Sequence, residues 1–109
     1  MSEARLPTGL WVEGHLKNLE AQAKFYYFIQ KGNHASGLLV LKLNNLKGQV
    51  RLLEQQRDFT EDKLVWAGAM EEEVVEEATA DAYIQRAIAR DPDLWVLEIE
   101  DELMENPFA

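Results

Sequence analysis

The sequence predicts an α+β fold, in which a mainly antiparallel sheet of about five strands carries two helices on one face. Three observations lead to this prediction. Apolar residues recur at helical spacing near the start of the chain and again near position 85, β-rich runs lie between these stretches, and an alternating run follows the second one. The resulting order, αββββαβ, lacks the regular strand–helix alternation of a parallel sheet.

The first helix is predicted over residues 9–22. Val12, Leu16 and Leu19 recur at helical spacing, and Thr8 stands where an N-cap hydroxyl is expected. Gly14 in the interior would cost about 1 kcal/mol relative to alanine. We therefore expect that this glycine allows close packing against the sheet.

The second helix is predicted to begin at about Thr79, which would serve as its cap. Ala80, Ile84 and Ala87 give it an apolar face. It ends at Asp91 because Pro92 follows, and a proline disfavours a helical residue before it.

Five runs rich in β-branched and aromatic residues are predicted as strands: 25–31, 38–43, 49–55, 63–69 and 94–100. The run 38–43 is almost continuously apolar, which is typical of a central strand. In the last run, Trp95, Leu97 and Ile99 share one face, while Glu98 and Glu100 mark the other as solvated. The glutamate-rich stretch 71–77 fits an extended strand, a loop or the start of a helix.

The 109 residues, of which 47% are hydrophobic and 28% charged, suit a single domain with frayed ends at 1–6 and 103–109. The absence of cysteine excludes a disulfide framework, a thiolate metal site and a cysteine nucleophile. No stretch approaches the roughly 20 apolar residues of a membrane span, and the start does not resemble a signal peptide. We therefore expect a cytoplasmic protein that does not enter a membrane.

Charge is distributed unevenly along the chain. Residues 1–57 carry eight Lys or Arg against four acids, whereas residues 58–109 carry three against sixteen. The acidic half would repel nucleic-acid phosphates, so no nucleic-acid partner is expected. It is either a solvated face or a surface for a basic protein partner, with Glu71, Glu72 and Glu73 as candidate interaction residues.

No catalytic or cofactor signature is present. His15 and His34 lack a partner at metal-motif spacing, and the glycines are too dispersed for a phosphate-binding loop. The residues therefore indicate no cofactor and favour a non-catalytic interaction or regulatory module, which binds a protein partner or forms a homodimer. Trp11 would contribute to binding if it were exposed, because tryptophan is enriched in hot spots.

An alternative function uses the acids near the last strand. Asp91, Asp93 and Glu98 could hold a hard cation such as magnesium, or act as an acid and base pair in an enzyme or small-ligand protein. The same residues also fit a proline turn and a solvated strand end. Asp91 and Asp93 are therefore kept as candidate interaction residues as well.

One segment carries a family resemblance. Residues 90–101, RDPDLWVLEIED, together with Leu10-Trp11-Val12 and residues 37–44, GLLVLKLN, resemble a family of small alphaproteobacterial proteins that is known only as a domain of unknown function. The resemblance covers nearly the whole chain and implies a bacterial cytosolic protein of about this length. It implies no activity, substrate or site.

Overall fold

The computed structural model describes residues 7–108, which form two helices and six strands. Their order is α1 (Thr8–Ala21), β1 (Tyr26–Gln30), β2 (Leu39–Asn44), β3 (Gln49–Asp58), β4 (Lys63–Gly68), β5 (Val75–Glu76), α2 (Glu77–Arg90) and β6 (Trp95–Glu100). The α+β class is confirmed. The additional strand, β5, consists of two residues of the glutamate-rich stretch. Residues 1–6, which the sequence predicts to be frayed, lie outside the described part.

The strands form one sheet in the order β1-β6-β2-β3-β4, and β5 pairs with β3 beside β4. Strand β6 pairs antiparallel with β1 and parallel with β2, and the remaining pairs are antiparallel. The mainly antiparallel sheet is therefore confirmed. Strand β2 is central, as its apolar run predicts, and all six of its residues are buried.

The two helices pack on opposite faces of the sheet, so the prediction of two helices on one face is wrong. Helix α1 packs on the face formed by the odd-numbered residues of β2, and α2 packs on the even-numbered face. The reason is that β2 is apolar on both faces, and both must be removed from water. The α1 core contains Val12, Leu19, Leu39, Leu41, Leu43, Leu97 and Ile99, and the α2 core contains Val40, Val50, Leu52, Ala80, Ile84, Ala87 and Val96.

Neither predicted threonine cap is present. Thr8 is the first residue of α1, and its hydroxyl donates to the carbonyl oxygen of Gly37 at 3.0 Å instead of capping the helix. Helix α2 begins at Glu77, two residues before Thr79. Two contacts hold Glu77 at the start of the helix: its amide donates to the carbonyl of Gly48 at 3.0 Å, and its carboxylate lies 2.7 Å from the Lys42 ammonium.

The expected close packing of Gly14 is also wrong. Gly14 is exposed, and a Cβ added there would meet nothing within 4 Å. The close approach in α1 is at Gly9, where the ring of His34 occupies the space that a Cβ would need. The loop between β1 and β2 is thereby held against the start of α1.

In the described part of the chain, no helix has the length and apolar character needed to cross a membrane.

Candidate functional site

A cleft lies at the edge of the sheet, between the part of β3 that pairs with β5 and the part that pairs with β4. Strand β4 pairs with β3 from Leu53 onward, and β5 pairs with Gln49 and Val50, so Arg51 and Leu52 lie between the two pairings. The cleft has a volume of about 350 Å³. It is called the acidic cleft below and is lined by Arg51, Leu52, Leu53, Gly68, Met70, Glu71 and Glu73.

The rim of the acidic cleft carries exposed negative charge. Glu71, Glu72 and Glu73, which were candidate interaction residues from the sequence, are all exposed. Among residues 7–108, Arg51 is the cation paired with this rim, and its Nη2 lies 3.7 Å from Oε2 of Glu73. That separation is longer than the roughly 2.7–2.9 Å of a close charge-assisted hydrogen bond. The rim carboxylates are therefore accessible to a cation from outside the protein.

Arg51 is held at the cleft by the C-terminal segment, residues 102–108, which is called the tail below. Its Nη1 donates to the carbonyl oxygen of Met104 at 3.2 Å. Its Nε is buried and has no hydrogen-bond partner among the described residues. A buried donor without a partner costs about 1–3 kcal/mol, so the present position of Arg51 depends on the contacts around it.

Both ends of the tail make contacts with the rest of the protein. The sequence predicts fraying over residues 103–109, of which residue 109 lies outside the described part. At its start, the Asp101 carboxylate accepts the amides of Leu103 and Glu105, both at 3.2 Å. Asp101 also forms a 3.0 Å ion pair with Lys24. At its end, the Phe108 side chain is buried in the α1 core.

Three rings surround Phe108. His15 stacks on it with the ring centroids 4.6 Å apart, and Trp11 and Trp66 meet it edge-on at 5.4 and 6.2 Å. Burial lowers the pKa of His15 and favours its neutral form. Trp11, a candidate interaction residue from the sequence, is thus half-buried and packs against the tail.

A second polar group lies on the other face of the sheet, under the start of α2. Lys42 of β2 and Glu98 of β6 are each only 3% exposed, and the parallel register places them side by side. The Lys42 ammonium lies 3.2 Å from Oε1 of Glu98, 2.7 Å from Glu77 and 2.8 Å from Asp81. These four residues are called the Lys42 network below.

Two further donors complete the hydrogen bonding of Glu98. The Tyr27 hydroxyl donates to Oε1 at 2.7 Å, and Nδ2 of Asn44 donates to Oε2 at 2.9 Å. Burial alone would raise the pKa of Glu98, but the bonds from Asn44 and Tyr27 and the charge of Lys42 outweigh it, so the pKa is lowered. The bond to Glu98 raises the pKa of Tyr27. The expectation that Glu98 is solvated is therefore wrong.

For Lys42, burial lowers the pKa, but the three carboxylates outweigh burial and raise it above the ordinary value of 10.5. The ammonium stays charged at neutral pH. It cannot serve as an amine nucleophile or general base, which would require a lowered pKa. The Lys42 network therefore fits a structural ion-pair cluster better than a catalytic one.

The acids of the alternative function lie apart. Asp91 and Asp93 form the turn between α2 and β6, where Oδ1 of Asp91 accepts the Asp93 amide at 3.0 Å. Glu98 lies inside β6, five residues after Asp93, and five extended residues span roughly 16 Å. Within residues 7–108, no group of three or more His, Asp or Glu side chains is placed to hold a metal ion.

Sequence reasoning did not identify Lys42, Arg51 or Phe108. A signal exists for Lys42, because a lysine inside an apolar central strand requires a buried partner. No comparable signal exists for Arg51 and Phe108. Their roles depend on where the tail returns to the sheet, and no local pattern encodes that position.

Comparisons with known proteins agree with this fold. A family model described as "Protein of unknown function (DUF1491)" matches residues 6–109. A crystal structure of a DUF1491 family protein from Caulobacter crescentus CB15 has a TM-score of 0.81 and 28% identity, and the match covers 95% of this chain and 94% of that chain.

Two solution structures are also similar. An NMR structure of a DUF1491 family protein from C. crescentus CB15 has a TM-score of 0.79 and 28% identity, with coverage of 94% of this chain and 92% of that one. A protein from A. tumefaciens has a TM-score of 0.68 and 24% identity, with coverage of 89% and 86%, and shows the likeness of fold. No curated protein matches the chain.

Proposed function

The chain belongs to the DUF1491 family of proteins of unknown function, and from its own geometry we propose that it is a non-catalytic, cytoplasmic interaction module. Its acidic cleft binds a basic segment of a partner protein. The observation that carries the proposal is the position of three exposed glutamates, Glu71–Glu73, beside a cleft with a partly apolar lining.

The aliphatic stem and the charged end of a lysine or arginine side chain match the apolar and acidic parts of this lining. Its aliphatic stem would pack against Leu53 and Met70, and its charged end would face Glu71 and Glu73. Charges on an exposed rim contribute more to association rate and specificity than to affinity. They are also screened at physiological salt, where the Debye length is about 8 Å. Binding should therefore be moderate and salt-dependent.

The Lys42 network supports this proposal over the small-ligand alternative. Both carboxylate oxygens of Glu98 are engaged by Lys42, Tyr27 and Asn44. A ligand or metal ion at Glu98 would have to displace buried hydrogen bonds, which is costly. The exposed rim of the acidic cleft carries no such cost.

The test compares two charge-reversal variants of equal net charge. The rim variant is E71K/E72K/E73K, and the control, E13K/E20K/E61K, reverses three exposed acids outside the cleft and the tail. The probe is a fluorescein-labelled peptide of alternating lysine and valine, and binding is followed by fluorescence anisotropy at low and physiological salt.

We expect the rim variant to bind the peptide at least about tenfold more weakly at low salt, while the control changes much less. Amide shift changes in NMR spectra of the native protein should centre on the cleft residues. An equal loss in both variants would show that general charge, and not this cleft, attracts the peptide. Absence of binding to the native protein would contradict the proposal.

A further inference from the structure

Arg51 links the tail to the acidic cleft. One of its terminal nitrogens donates to the tail carbonyl of Met104 at 3.2 Å, and the other lies 3.7 Å from Glu73 on the rim. The two contacts use different nitrogens of one guanidinium group and are present together. The bond to Met104 restrains the position of this group, and the ion pair with Glu73 is long at that position.

The tail itself depends on Phe108. This side chain is buried among Trp11, His15 and Trp66, and the Asn106 side chain shapes the last turn by accepting the Phe108 amide at 2.9 Å. Between Asp101 and Phe108, the tail contains exposed residues, of which Leu103 is 73% exposed. Met104, between the two ends, is half-buried against the same core that holds Phe108, and its amide donates to the carbonyl of Asp101 at 2.9 Å.

We propose that the tail is an intramolecular latch that keeps the acidic cleft competent for a basic partner. When Phe108 leaves its site, Met104 loses part of the core surface on which it packs, shifts, and no longer holds Arg51. The guanidinium then moves towards Glu73, neutralises part of the rim and weakens binding. This inference rests on the proposed function of the cleft and adds its regulation.

The first experiment measures affinity for the lysine–valine peptide in the native protein, F108A, R51Q and R51Q/F108A. We expect F108A to bind about fivefold more weakly than the native protein, and the same change to have little effect when Arg51 is already replaced. Leu103→Ala, a change at an exposed tail position, serves as the control and should bind like the native protein. Equal effects of F108A with and without Arg51 would overturn the latch.

The second experiment needs no peptide. Hydrogen exchange of the Arg51 Nε–H, observed by NMR, should be slow in the native protein because this group is buried. It should become at least about tenfold faster in F108A. Because F108A removes a core ring, the milder N106A is measured in parallel and should shift in the same direction. Unchanged exchange in folded samples of both variants would overturn the latch.

The two experiments separate the two proposals. If the native protein does not bind the peptide, the proposed function of the cleft fails, together with its regulation. If it binds but Arg51 exchange and the R51Q/F108A comparison show no coupling, the latch alone fails.

Discussion

Lys42 joins the sheet to the start of α2, because its ammonium group contacts Glu98 on β6 and both Glu77 and Asp81 on α2. The two helix carboxylates are partly exposed and are screened by water, so each contributes little by itself. Glu98 is buried, and its charge depends on Lys42 for compensation. Forming the buried Lys42–Glu98 pair adds little net stability. Removing Lys42 alone is costly, because it would leave the buried Glu98 charge without a cation.

Replacing Lys42 by methionine should destabilise the protein by about 3–5 kcal/mol, because the Glu98 charge would remain buried without its cation. Methionine keeps much of the apolar stem of the lysine, so the loss of stability is due mainly to the loss of the ammonium charge. The double variant K42M/E98Q should lose less than K42M, since glutamine retains partners in Tyr27 and Asn44 without a charge. Urea denaturation gives both values. A double variant less stable than K42M would contradict this account.

Stability at acid pH should depend on Glu98. Its pKa in the folded protein is below the ordinary value of 4.5, so folding favours the ionised form. This contribution is complete above about pH 4.5 and is lost as pH falls through the lower pKa of the folded state. Asp101 acts with the same sign, because Lys24 and the tail amides outweigh burial and lower its pKa.

The urea midpoint of the native protein should therefore fall as the pH drops below about 4.5. The decline should be smaller in E98Q and in D101N, each of which lacks one of the two contributions. Midpoints measured at closely spaced pH values provide the test. Parallel curves for the native protein and E98Q would contradict the assignment to Glu98.

At the scale of elements, α1 shows what local patterns can and cannot predict. Its apolar spacing predicts residues 9–22, and the helix spans Thr8–Ala21. The period of the apolar residues is a local property, so the position of an element can be predicted from sequence. The roles of Thr8 and Gly9 depend on contacts with the β1–β2 loop, and these contacts are not encoded in the helix itself.

The same distinction explains the error about Glu98. The alternation in β6 correctly separates Trp95, Leu97 and Ile99 from Glu98. It does not reveal that β2 lies alongside in parallel, with Lys42 opposite Glu98. Strand neighbours arise from pairing across about 55 positions of sequence, so the Lys42–Glu98 ion pair was beyond local reasoning. The opposite placement of the helices was indicated locally, because both faces of β2 are apolar.

Gly14→Ala should stabilise the protein by about 0.5–1 kcal/mol, because the glycine lies inside an exposed stretch of helix with open space around it. The matched change Gly9→Ala should destabilise it, since the new Cβ would displace the His34 ring. Thermal melts of the two variants should move in opposite directions. A lower melting temperature for G14A would contradict the open space around Gly14.

At the scale of the whole molecule, β1 and β4 form the two ends of the sheet path. An end strand offers unpaired backbone groups to another chain. Beside β1, the Phe25 side chain is 75% exposed. The homodimer expected from the sequence stays a prediction, and β1 is the edge at which it would form.

Phe25→Lys should weaken such a dimer by about tenfold or more, because a charge at a paired edge opposes association. Phe59→Lys is the control, since Phe59 is 87% exposed and lies at the turn between β3 and β4. Light scattering after size-exclusion chromatography over a range of concentrations reports the mass. A monomeric native protein at high concentration would contradict the predicted dimer.

The position of β6 between β1 and β2 has a consequence for synthesis on the ribosome. This strand is translated after the other five, yet it lies inside the sheet and not at an edge. A nascent chain that ends before residue 95 presents β1 and β2 with no strand between them, and their apolar faces attract chaperones or other nascent chains. A premature stop codon near the 3′ end of the reading frame would therefore yield a product prone to aggregation, even though most of the chain had been made.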